Sequence, residues 1–169
     1  MYVPGSSALG ATDMTPLGLS PEDKAEMLER TSWSQAFNWE QILTLAGYMQ
    51  AVRLRAEGTV FREHDRKAYM CLLVTGEVAV LKEGVEGGQK QLTNLGAGKA
   101  FGELALLDSQ PRSATIVATA DSTLMVLTLD ALQQLSEEQP TVANLVLWKL
   151  ARVVSGRLRQ TSGALIEHL

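Results

Sequence analysis

Hydrophobic and polar positions fall into three successive textures along this chain. The first is helical. Ser20-Pro21-Glu22-Asp23 is a helix start, with a capping serine, a proline in the first turn and acids at the positive end of the helix dipole. It predicts a helix that carries Met27 and Leu28 inward and ends near Thr31. A second helix is predicted over about Asn38–Tyr48, with Ile42, Leu43, Leu45 and Ala46 on its apolar side. Trp33, Phe37 and Trp39 are expected to pack between these helices and the rest of the chain. Ahead of them, residues 1–19 are rich in Gly, Ser, Thr and Pro without a steady period, and read as a flexible N-terminal arm.

From Met49 to Leu129 the pattern changes to short β runs separated by turn residues. Val52–Ala56 alternates, Glu57-Gly58-Thr59 turns, and Val60-Phe61 resumes. Tyr69–Val74 and Glu77–Leu81 flank a tight turn at Thr75-Gly76. Glu83–Gly88 reads as a hairpin tip, Gln89–Leu95 as the returning strand, and Gly96-Ala97-Gly98 as the next turn. Ser113–Ala118 and Thr123–Leu127 are further strands. About eight short strands at this spacing predict a barrel or jelly roll.

Beyond Leu129 the chain is helical again. Asp130 is placed to cap a helix over Ala131–Glu138, and Gln139-Pro140 interrupts it. A longer helix is predicted over about Thr141–Ser162, with a wide apolar stripe of Val142, Leu145, Val146, Leu150, Val153, Val154 and Leu158. Gly156 weakens it by roughly 1 kcal/mol. The predicted class is mainly β with flanking helices. One domain is expected over 20–169, its β region at about 49–129 and its C-terminal helices at about 130–163.

Composition narrows the function classes. The 169 residues are 46% hydrophobic and 20% charged, an ordinary globular balance, and no apolar run suggests a spanning helix. Met1-Tyr2-Val3-Pro4-Gly5 lacks the basic start of a signal peptide, so a cytoplasmic location without membrane attachment is expected. The single Cys71, in an apolar run, reads as a buried structural thiol. Net charge is −4, which argues against a nucleic-acid partner. The nearest basic set, Lys149, Arg152, Arg157 and Arg159, is spread over the last helix. His64 and His168 are the only histidines and lie far apart, so no metal or haem role is expected for His64. No Walker loop and no nucleophile with a partnering base is present, so no enzyme activity and no cofactor are expected.

The informative chemistry lies in the run Phe101-Gly102-Glu103-Leu104-Ala105-Leu106-Leu107-Asp108-Ser109-Gln110-Pro111-Arg112-Ser113-Ala114-Thr115. Gly102 stands at the mouth of a short apolar helix, where unpaired N–H groups and the helix dipole favour an anion. A glycine there lets a ligand approach the backbone. Arg112 returns nine residues after Glu103 with a fork of donors suited to phosphate. A carboxylate beside a phosphate is repulsive, unless the ligand is a nucleotide and Glu103 accepts from a sugar hydroxyl.

This run resembles the phosphate-binding cassette of the cyclic nucleotide-binding domain family, of the catabolite activator protein and cAMP-dependent kinase regulatory subunit type. The family cassette reads roughly F-G-E-L/I-A-L, a spacer, then P-R-x-A, and each position is filled here in order. Gly58, Gly76-Glu77 and Gly96-Ala97-Gly98 fall where the family places its turns. Where the family commonly has a glycine before an aspartate, this chain has His64 before Asp65, a residue that tolerates positive φ better than most. The resemblance implies an antiparallel β-roll with N-terminal helices and a long C-terminal helix. It implies a cyclic nucleotide whose phosphate sits on the N–H groups of Leu104 and Ala105, with Gly102, Arg112, Ser113 and Ala114 around it. Glu103 would take the ribose 2′-OH. The base would face the C-terminal helix near Arg152, Val153 and Arg157. The step Arg112-Ser113-Ala114 leans towards cAMP over cGMP, because members that prefer cGMP often carry threonine at the serine.

The same resemblance implies a regulatory module that signals by movement of the C-terminal helix, dimerises through it, and acts on an effector protein the sequence does not identify. DNA-binding relatives continue into a winged helix-turn-helix, so specific DNA binding by these residues alone is not expected. Other classes stay open: a scaffold or protein-interaction domain that keeps the fold without regulated binding, a fragment of a larger transcription factor or kinase, and a phosphodiesterase-like hydrolase, which the lack of a metal-ligand cluster disfavours.

Overall fold

The structure is a computed structural model that describes residues 12–167. Its elements run β1 (Thr15–Pro16), α1 (Pro21–Glu29), a 3-10 turn (Ser32–Ala36), α2 (Trp39–Tyr48), β2 (Gln50–Leu54), β3 (Thr59–Phe61) and β4 (Tyr69–Thr75). They continue with β5 (Glu77–Glu83), β6 (Gln89–Gly96), β7 (Ala100–Phe101), α3 (Glu103–Asp108), β8 (Thr115–Ala118), β9 (Ser122–Thr128), α4 (Leu129–Glu138) and α5 (Pro140–Glu167). The strands form two antiparallel sheets, ordered β1-β2-β9-β4-β7 and β3-β8-β5-β6.

The first sheet is buried on both faces, and its strands show why the run Tyr69–Val74 reads as continuously apolar. Tyr69, Cys71 and Leu73 point into a core shared with Val52, Leu54, Val78, Ile116, Leu124 and Val126. Their alternates Met70 and Leu72 join Ala51, Met125 and Leu127 under the helices, against Leu28, Ile42, Leu45, Leu135, Val146 and Leu150. Strand geometry sends successive side chains to opposite faces, so a sheet covered twice has no polar side. The second sheet is covered once, and its edge strand β6 is almost wholly exposed. The turn between β4 and β5 requires glycine: Gly76 has φ +94°, and a Cβ there would stand 2.2 Å from the Ser122 hydroxyl.

Local helix signals are realised closely. Ser20 and Asp23 form a reciprocal capping box, as do Asn38 and Gln41. Three expectations differ. Thr128, not Asp130, caps α4, its hydroxyl accepting from the Ala131 N–H at 3.2 Å. Pro140 opens α5 instead of only ending α4, which its fixed φ and missing N–H suit, and Gly156 does not interrupt the helix. Trp33 is buried and Phe37 packs against the helical core, but Trp39 is 44% exposed, because as the first residue of α2 it lies outside that helix's apolar face. Of the N-terminal arm, residues 1–11 lie outside the described residues. The rest is tied down: Thr15 and Pro16 pair with Arg53 and Val52, and Met14 enters the inter-sheet core.

Candidate functional site

The cassette hangs between β7 and β8. Its pivot is Gly102, left-handed at φ +77°, capping α3. A Cβ there would lie 2.8 Å from Nη1 of Arg112 and 3.1 Å from the Tyr69 carbonyl oxygen, so the position needs glycine for both conformation and space. No side chain caps the first turn of α3, and its amides stay available to an outside acceptor.

Arg112 is 3% exposed. Its Nη1 donates to the Gly102 carbonyl at 2.9 Å and its Nη2 to the Tyr69 carbonyl at 2.7 Å. The guanidinium carbon stacks 3.9 Å from the Phe61 ring centroid and 4.5 Å from that of Tyr69. The backbone is gripped as well: Arg112 N–H donates to the Asp65 carbonyl, and His64 N–H donates to the Arg112 carbonyl. His64 holds this turn with φ +73°, in place of the glycine the family commonly has there. Among the described residues no carboxylate pairs with Arg112, and its Nε is buried without a partner. Burial pulls its pKa below the usual range. An arginine remains charged even so, and a buried cation with no carboxylate salt-bridged to it is one an anion would stabilise.

Glu103, the first residue of α3, is fully buried. Arg157 of α5 donates to Glu103 Oε1 and to the Ala100 carbonyl. The other carboxylate oxygen, Oε2, has no hydrogen-bond partner. The site thus holds an orphaned buried donor on Arg112 and an orphaned buried acceptor on Glu103. Those are the two functions a phosphorylated sugar ring supplies in reverse.

The remaining sequence candidates are distributed around this pair. Leu104 is 46% exposed and Ala105 is buried. Ser113 is exposed, and its carbonyl accepts from Lys82 Nζ at 2.7 Å. Ala114 is half-buried beside it. On α5, Val153 packs against the helical core and Arg152 is exposed. Arg157 spends donors on Glu103 and the Ala100 carbonyl, which ties α5 to the start of α3 and to β7. Sequence reasoning missed the Phe61 ring and the carbonyls of Tyr69, Gly102 and Ala100. The ring reads as ordinary core, and carbonyls carry no signal in side-chain pattern. Two surface clefts, one lined by Lys24, Met49 and Gln50 and one by Arg53, Arg55 and Glu57, include no cassette residue.

Between β7 and β8 the fold brings together a glycine-led helix, a buried arginine with no carboxylate partner and a buried carboxylate. The model of the cyclic nucleotide-binding domain family matches residues 51–139, and the chain belongs to that family. It is 26% identical over 142 residues to the CRP-like cAMP-activated global transcriptional regulator of Mycobacterium tuberculosis, covering 84% of this chain and 62% of the regulator. It is 32% identical over 122 residues to the cyclic AMP receptor protein of Thermus thermophilus, covering 72% and 54%. The crystal structure of a cyclic nucleotide-binding domain from Methylobacillus flagellatus superposes with TM-score 0.80 at 30% identity, over 93% of this chain and 90% of that one. The chain spans less than two thirds of the two curated relatives named above. No helix among the described residues is long and apolar enough to cross a membrane.

Proposed function

We propose that this chain is a cyclic-nucleotide sensor module that prefers cAMP to cGMP and signals through α5. The observation that carries this reading is Arg112, buried and charged beside the uncapped start of α3, with no carboxylate to neutralise it. The cyclic phosphate would take the N–H groups of Leu104 and Ala105 and the free donor of Arg112, with Ser113 adding its hydroxyl. The ribose 2′-OH would donate to Glu103 Oε2, while Arg157 keeps Oε1. The base would face α5 near Arg152 and Val153.

Glu103 and Arg112 are both covered, so a ligand can reach them only if the cover opens. Arg157 makes α5 part of that cover, and a filled cassette therefore shifts the equilibrium position of α5. The exposed apolar residues Leu147, Trp148, Leu158 and Leu165 of that helix support a homodimer and an effector contact. The effector is a protein, on this or another polypeptide.

Calorimetric titration with cAMP, cGMP and 2′-deoxy-cAMP tests the reading. Saturable binding of cAMP, tighter than cGMP, is expected. Replacing Glu103 by Gln should cost roughly tenfold with cAMP, the worth of one charge-assisted hydrogen bond, and little with the 2′-deoxy ligand. Equal losses for both ligands would show Glu103 acting on the fold alone. No heat with any cyclic nucleotide would favour a ligand-independent scaffold.

A further inference from the structure

A second cluster of chemistry lies on the turn between β3 and β4. Glu63 and His64 on that turn meet Glu83 at the end of β5, and one ligand atom from each lies within 4.8 Å of the other two. His64 Nε2 is 3.7 Å from Glu83 Oε2. Two ligands bound to a tetrahedral ion at about 2.1 Å stand roughly 3.4 Å apart, so little movement would close this pair on a metal.

The turn is built before any ion arrives. Glu63 N–H donates to Thr115 Oγ1 at 2.9 Å, Arg62 N–H to Asp65 Oδ2 at 2.8 Å, and His64 N–H to the Arg112 carbonyl at 2.9 Å. The Glu63 carboxylate is 8% exposed and fixed by Lys82 Nζ at 2.8 Å and the Glu83 N–H at 2.9 Å. A carboxylate offers about four lone-pair sites, so those two bonds leave room for a metal. His64 and Glu83 are exposed and reachable.

We infer that Glu63, His64 and Glu83 form a three-ligand clip for a divalent transition metal, with zinc as the fitting ion. One imidazole and two carboxylates suit zinc better than magnesium or calcium, and a fourth position stays open to water. The ammonium of Lys82 is the clip's competitor, because it neutralises the same carboxylate. The ion would pin the turn that grips Arg112 to the end of β5.

The test is calorimetric titration of the full chain with zinc chloride in a non-coordinating buffer, with the cobalt(II) absorption spectrum as a second readout. One ion per chain is expected, with four- or five-coordinate cobalt bands. His64→Gly keeps the left-handed backbone and removes the imidazole, and Glu83→Gln keeps the backbone N–H. Each should weaken zinc binding at least tenfold. Lys82→Met should tighten it, an effect of opposite sign to that of losing a merely structural ion pair. His168→Ala should leave it unchanged. Absence of saturable zinc binding below about 1 mM overturns the inference. So does zinc binding that survives both ligand substitutions, or that weakens in Lys82→Met. Should His64→Gly fail to fold, Glu83→Gln decides alone, since its side chain is 63% exposed.

Discussion

The pair Glu103–Arg157 carries a quantitative prediction about stability that needs no ligand. Glu103 is fully buried, Arg157 donates one hydrogen bond to one of its oxygens, and the other oxygen has none. Arg157→Met keeps most of the apolar stem but removes the charge and fork. It leaves a buried carboxylate unpaired and deprives the Ala100 carbonyl of its donor. Breaking a fully buried pair from one side costs about 3–5 kcal/mol. The Arg157 side chain is 41% exposed, so water can reach the pair from that side and the cost should be lower, about 2–3 kcal/mol. For a domain of this size that lowers the melting temperature by about 4–12 °C. Glu103→Gln should cost less, about 1 kcal/mol, because the orphaned arginine can turn to solvent. The double variant should lose about 1–3 kcal/mol, less than the sum of the two single losses, with a coupling of about 1–2 kcal/mol. Urea unfolding of the four proteins, without nucleotide, measures the cycle. Additive losses, or a loss below about 0.5 kcal/mol for Arg157→Met, would refute the claim that α5 neutralises the cassette carboxylate.

Further outcomes follow from Cys71 and Trp148. Burial raises the Cys71 thiol to about 12, so it should resist a disulfide reagent at pH 8 until the chain unfolds. A thiol whose folded pKa is raised contributes stability that is full below its unfolded value of about 8.5 and is lost as pH rises towards 12, so Cys71→Ala should flatten the alkaline decline in stability. Sedimentation should show a dimer at micromolar concentration, and Trp148→Glu, at a side chain 67% exposed, should dissociate it without lowering thermal stability of the monomer. A monomer in the unsubstituted protein would remove α5 as the dimer helix.

Much of this architecture was legible because it is local. Capping boxes span four residues, so Ser20-Asp23 and Asn38-Gln41 announce their helices in sequence. The cassette is one short stretch whose spacing encodes a glycine turn, a helix and a returning arginine, so Gly102, Glu103 and Arg112 could be singled out directly. His64 could be placed at a positive-φ turn for the same reason. The β runs and their turns marked most strands, though not which strand pairs with which.

What chain pattern could not contain is distance-dependent chemistry. Glu103 and Arg157 are 54 residues apart, and only the docking of α5 over β7 and α3 makes them partners. In sequence Arg112 reads as a fork of donors suited to a phosphate, with no sign of its burial. The fold sinks it under Phe61 and Tyr69 and spends two of its donors on carbonyls, which makes it a structural pin of the turn and of α3's start. The N-terminal stretch around Met14 lacks any period, yet pairing with β2 orders it. Glu63, His64 and Glu83 become neighbours only when β5 brings its last residue back beside the β3–β4 turn. By itself the sequence determined the elements and the cassette, because backbone propensity, capping and glycine conformation act over a few residues. The tertiary structure alone decided which charges are buried, paired or left unsatisfied, because desolvation depends on what non-local packing places around each group.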